Sequence, residues 1–73
     1  MRLLIIEDDH TLRETLAKQL LAEGFAVEEA EDGREGQYQA LEYPIDLAII
    51  DLGLPEISGT DIIRAVRDAG KTY

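Results

Sequence analysis

Three carboxylates at two places in the chain could do chemistry together. Glu7 and Asp8 close the apolar run Leu3-Leu4-Ile5-Ile6, and Asp51 closes the run Leu47-Ala48-Ile49-Ile50. If they meet, they repel, and some of their pKa values must rise unless a cation joins them. A hard divalent ion, Mg²⁺ or Mn²⁺, suits an all-oxygen site that keeps several waters. Such an ion neutralises a transferring phosphoryl group and aligns it for in-line attack. A carboxylate can itself be the nucleophile, which gives an aspartyl phosphate. Asp51 lies 43 and 44 positions from Asp8 and Glu7, so the elements between them decide whether the three groups meet.

A four-residue apolar run bounded by carboxylates reads as a strand buried on both faces. From Thr11 the period changes: Leu12, Leu16 and Leu20, with Ala17 and Leu21 beside them, make one apolar stripe, and Arg13, Glu14 and Lys18 the opposite face. Asp9 or Thr11 caps this helix and Gly24 ends it. Phe25 to Ala30 reads as a second strand, interrupted by Glu28-Glu29 and suited to an edge. Asp32-Gly33 marks a turn into a second helix that runs to about Glu42, before Tyr43-Pro44 breaks it. Gly36 makes this the weakest element, at a cost of about 1 kcal/mol relative to Ala. Asp46 to Ile50 is the third strand. Ser58 then caps a third helix with Asp61 in its first turn, Ile62, Ile63 and Val66 facing inward and Gly70 at its end.

The order β-α-β-α-β-α with short connections demands, through right-handed crossovers, a parallel sheet with helices on both faces. Chemistry in such a sheet gathers beyond the carboxyl ends of its strands. If the second strand crosses back past the first, the spatial order is 2-1-3, and Glu7, Asp8 and Asp51 share one pocket.

Composition narrows the classes. Sixteen Asp and Glu against seven Lys and Arg give a net charge of −9, which repels nucleic-acid backbones and anionic lipid. With 45% hydrophobic residues the chain is too apolar for a disordered acidic tail. Without Cys, disulfides, thiolate metal sites and Cys nucleophiles are excluded. No apolar run is long enough to span a bilayer, and Met1 leads straight into a strand with no signal-peptide pattern, so a cytoplasmic address is expected. Seventy-three residues bury only about 60% of their unfolded surface. The chain is therefore expected to be marginal, to associate with a second copy, or to be part of something longer.

The residues LLIIEDD and LAIIDLGLPEISGTDIIRAVR resemble the receiver domain of two-component response regulators, most closely the OmpR/PhoB winged-helix subfamily and its PhoP-like members. The resemblance runs over the whole chain. It implies a flavodoxin-like or CheY-like α/β fold, here strands 2-1-3 of the usual 2-1-3-4-5, with residues 1–73 a partial receiver domain truncated after the third helix. It implies that Asp51 takes a phosphoryl group from a sensor histidine kinase, that Asp8 binds Mg²⁺ directly, that Glu7 acts through a metal-bound water, and that the Gly53 carbonyl completes the metal set. Pro55 and Gly59 shape the loop and helix entry below. The resemblance describes a transcription-controlling signalling protein rather than an enzyme. It also requires a hydroxyl residue and a Lys on two further strands, and a DNA-binding domain, none of which lies in these residues. Residues 1–73 alone are therefore expected to bind metal weakly, to take up little phosphate and to self-associate through the exposed third strand.

Blander roles compete at each position. Asp8 and Asp51 could be a helix-start and a turn carboxylate, Asp9 suits a cap, and His10 suits an exposed helix start. Leu12 and Thr15 lie where the family docks its kinase, with core packing the rival account for Leu12. Tyr38 and Tyr43 suit packing on the second helix. An acid-nucleophile phosphatase would want an Asp where Gly53 stands, and a Ca²⁺ buffer lacks its D-x-D-x-D-G loop. A truncated interaction module that blocks a kinase or a full-length regulator is the remaining alternative.

Overall fold

Leu3, Leu4, Ile5 and Ile6 are all buried, which places their strand at the centre of the sheet with apolar cover on both sides. The computed structural model describes residues 1–73: β1 (Arg2–Ile6), α1 (His10–Ala22), β2 (Ala26–Ala30), α2 (Gly33–Glu42), β3 (Leu47–Ile50) and α3 (Gly59–Asp68). The order is β2-β1-β3, with both pairings parallel. Register pairs Leu4 with Ala48 and Ile6 with Ile50, so these four share one face, while Leu3, Ile5, Leu47 and Ile49 share the other. β2 sits at an edge, where its two glutamates tolerate solvent.

The face covered by α2 and α3 holds the main core of Leu4, Ile6, Ala30, Ala40, Ile45, Leu54, Ile62 and Val66. The helix that looked weakest in sequence is present, capped by Asp32, whose side chain accepts from the Glu35 amide at 2.8 Å. Gly36 has a packing reason: a Cβ there would lie 2.6 Å from the Ile6 side chain, so glycine lets α2 settle directly onto β1. Ser58 caps α3 by accepting from the Asp61 amide at 3.1 Å. Ile62 and Val66 face the core as expected, but Ile63 is exposed. One residue on from Ile62, it turns about 100° away and lines an apolar hollow of about 420 Å³ beside Leu47, Leu52 and Tyr73. Tyr43 packs on the core, whereas Tyr38 is exposed and meets the Tyr43 ring edge-on at 6.0 Å.

The α1 face departs furthest from the expected stripe. Leu12 and Leu21 are exposed, Leu16 and Leu20 half-buried, and the buried residues are Arg13 and Ala17. The helix is rotated so that the 13-17-20 line meets the sheet. The reason is polar: Arg13 finds partners in Glu7 and Glu29 at the carboxyl ends of β1 and β2 and a third in His10 on its own helix, and a leucine in its place would leave those acceptors unmet. Leu47 and Ile49 on the same face remain 48% and 39% exposed, because α1 lies over β1 and β2 and stops short of β3.

Candidate functional site

The site forms where β1 and β3 end side by side. The ladder continues one step past each strand: the Glu7 amide donates to the Ala30 carbonyl at 3.1 Å, and the Asp51 amide donates to the Ile6 carbonyl at 3.0 Å. Those two bonds bring the carboxylates of Glu7, Asp8 and Asp51 together, with one oxygen of each lying within 4.8 Å of the others. Glu7 and Asp51 are half-buried and Asp8 is exposed, so the pocket opens to solvent.

Local hydrogen bonds set the side chains. One Asp51 oxygen, Oδ1, accepts from the Gly53 amide at 2.9 Å, an Asx-turn that restrains the carboxylate and leaves a second oxygen for chemistry. Glu7 accepts from the Asp9 amide at 3.0 Å, and Asp9 caps α1 by accepting from the Leu12 amide at 3.0 Å. Of the two cap candidates, Asp9 therefore serves and Thr11 does not. Gly59 opens α3 directly beneath Asp51, where a Cβ would lie 2.8 Å from the Asp51 carbonyl oxygen. The Gly53 position is open by contrast: a Cβ would make only an ordinary 3.5 Å contact with Asp51.

The electrostatics are those of crowded like charges. The Asp9 amide is the largest single influence on Glu7 and holds its carboxyl down. Desolvation, together with the neighbouring Asp8 and Asp51 carboxylates, outweighs it and leaves Glu7 above the ordinary carboxylate value of 4.5. A site that raises a carboxyl in this way favours a positive ion in the same space. Three hard oxygen donors open to water fit Mg²⁺ or Mn²⁺ better than a metal that seeks sulfur or nitrogen.

His10 stands apart from this cluster. Its Nδ1 lies 2.9 Å from the Arg13 guanidinium and its Nε2 3.4 Å from Glu14. Thr15 is exposed and donates its hydroxyl to the Thr11 carbonyl at 2.8 Å. Two features went unseen in the sequence. Arg13, read as a solvent-facing residue, donates to the Glu7 carbonyl at 2.8 Å and to Glu29 at 3.3 Å from a position only 7% exposed. Glu56 holds a left-handed backbone, φ 67°, in the loop that follows Asp51. The one available signal for Arg13 was its place at the first inward turn after an acidic strand end.

The response regulator receiver domain profile matches residues 3–73. The chain is 45% identical to the two-component response regulator PhoP of Pseudomonas aeruginosa over 73 residues, all of this chain and 32% of that protein. It is 45% identical over 71 residues to the probable transcriptional regulatory protein SilR of Salmonella typhimurium, 97% of this chain and 31% of that protein. The chain thus spans about a third of the length of the curated relatives it matches. Among solved structures, the response regulator TrrA of Thermotoga maritima, in complex with Mg²⁺ and BeF, superposes with a TM-score of 0.86 at 33% identity, covering 92% of this chain and 58% of that one.

Proposed function

This chain belongs to the response regulator receiver domain family, on its OmpR/PhoB branch, and from that premise we propose that Asp51 is the phosphoacceptor of a two-component signalling protein. The observation that carries the proposal is the convergence of Glu7, Asp8 and Asp51 at the paired ends of β1 and β3. In the reaction proposed, an Asp51 carboxylate oxygen attacks the phosphorus of a phosphohistidine on a sensor kinase. The P–N bond breaks as the P–O bond forms, and the imidazole leaves. The Gly53 amide holds Asp51 in place for the attack. Asp8 and Asp51 would hold Mg²⁺ directly, Glu7 through a water, and the Gly53 carbonyl would complete the set. The bound ion would neutralise the carboxylates and the phosphoryl oxygens.

Further parts of the reading follow from the relatives. Control of transcription through a DNA-binding domain belongs to proteins about three times this length, and we assign it to the whole protein with a cytoplasmic address. No helix is long and apolar enough to cross a membrane. The exposure of Leu12 and Thr15 on α1 supports kinase docking there over core packing.

Intact mass before and after a small phosphodonor with Mg²⁺ tests the assignment in the full chain. We expect a gain of one phosphoryl group that Asp51→Ala abolishes. No gain in the parent, or a gain that survives Asp51→Ala, would sink it.

A second reading concerns residues 1–73 taken alone as an interaction module. Leu47, Ile49, Leu52 and Ile63 are exposed along and beside the unpaired edge of β3. That combination favours pairing with a second copy through the edge. Sedimentation that finds a folded monomer at high micromolar concentration would exclude this reading.

A further inference from the structure

We propose that Arg13 is a positioning residue of the acidic pocket: its guanidinium fixes the main chain at Glu7 and so sets the cation affinity of Glu7, Asp8 and Asp51. The inference rests on the metal reading above.

An arginine taken out of water needs its donors satisfied, and Arg13 meets that need on three elements. One nitrogen donates to the Glu7 carbonyl just past the end of β1, at 2.8 Å. A second faces His10 Nδ1 in the first turn of α1, at 2.9 Å. The third, Nε, faces Glu29 on β2 at 3.3 Å. The contact with Glu7 matters most for the pocket. Glu7 lies beyond the last β1 pairing, and its carbonyl receives the Arg13 guanidinium instead of a backbone amide. Its own amide is taken by the Ala30 carbonyl. Both backbone polar groups of Glu7 are therefore held, one by β2 and one by Arg13.

The turn that follows is tied to the same residue. The Arg13 amide donates to the Asp9 carbonyl at 2.9 Å, and the Asp9 amide donates to the Glu7 carboxylate. The three-residue turn on which Asp8 is the exposed middle member is thus held at Asp9 by the main chain of α1, as with any residue at position 13, and at Glu7 by the Arg13 guanidinium. Without the guanidinium, the Glu7 carbonyl loses a charge-assisted bond and the turn can rotate its carboxylates away from Asp51. Groups that orient metal ligands from behind in this way typically change metal affinity 10–100-fold when removed.

The sign of the effect separates positioning from plain electrostatics. Arg13 carries a positive charge near a cation site, so by Coulomb's law alone its removal strengthens cation binding. Positioning demands the opposite. Titration of Mg²⁺ by calorimetry into the full chain, with Asp8→Asn as the ligand-loss control, decides between them. Urea unfolding run in parallel separates folded-state affinity from stability. We expect Arg13→Met to bind Mg²⁺ about tenfold more weakly, and Arg13→Lys, which keeps the charge but not the fork, to fall between it and the parent. Affinity that is unchanged or higher in a folded Arg13→Met protein overturns the proposal. If Arg13→Met does not fold, Arg13→Lys decides: a loss of at least about threefold supports positioning, and parent-like affinity overturns it. A parent chain that binds no Mg²⁺ overturns the metal reading itself, and the role of Arg13 with it.

Discussion

On one face of the sheet, Leu4, Ile6 and Ala30 meet α2 and α3 in the main apolar core, with Gly36 drawing the backbone of α2 onto β1. On the other, beneath α1, Leu3, Ile5, Ala17 and Arg13 are buried, while Leu12, Leu47 and Ile49 stay partly exposed. The first face is built for stability. The second gives up apolar cover to place a guanidinium behind the carboxylate turn and to keep a helix flank available. The two faces share one strand, so the carboxyl end of β1 is held rigidly from one side and tuned from the other.

Substitution in the core beneath α2 and α3 should produce the largest losses. Ile62→Ala removes a fully buried side chain from the core and should cost about 2–5 kcal/mol by urea denaturation. A cost comparable to that of an exposed site would mean that the two faces do not differ in packing. Gly36→Ala is a sharper test, because helix propensity and packing oppose each other there. Propensity alone favours alanine by about 1 kcal/mol. The overlap with Ile6 should reverse the sign and destabilise by about 1–3 kcal/mol. A more stable Gly36→Ala protein would show that α2 does not sit as close to β1 as described.

On the open face the same kind of change should matter little. Leu12 is 46% exposed, and Leu12→Ala should cost less than about 1 kcal/mol while weakening phosphoryl transfer from a kinase more than phosphorylation by a small donor. Equal loss with both donors would remove α1 from the docking surface.

The smallest expected effect lies at the shared end of β1. The folded-state pKa of Glu7 is raised, so the folded chain binds its proton more readily than the unfolded chain does. Stability from this group is therefore greatest at acid pH and falls as pH rises from near 4.5 through the raised folded value. Urea midpoints at mildly acidic and neutral pH should show this slope, and Glu7→Gln or added Mg²⁺ should flatten it. An unchanged slope in Glu7→Gln would place its origin elsewhere.

Much of this was legible before any coordinates. The two apolar runs ending in acids, the Ser58 cap and the short connections sufficed for a parallel sheet, and the resemblance to the receiver family supplied the order 2-1-3. The Glu7, Asp8 and Asp51 constellation followed from that order. The phase of α1 did not. Leucines at 12, 16 and 20 make a good stripe by spacing, yet a buried arginine with three partners outweighs a leucine left half in water. Ile63 failed for a related reason: adjacent isoleucines cannot both face one core on a helix, and nothing local says which will.

Local rules of this kind act on neighbours in the chain, so composition, period and turn chemistry were enough to determine the elements, their order and the carboxylate-bearing strand ends. Which helix face is buried, why Gly36 and Gly59 carry no side chain, and what stands behind Glu7 depend on atoms from distant segments competing for the same space. Packing and desolvation are settled only among groups that have already met, and Arg13 meets Glu29 only once β2 lies beside β1.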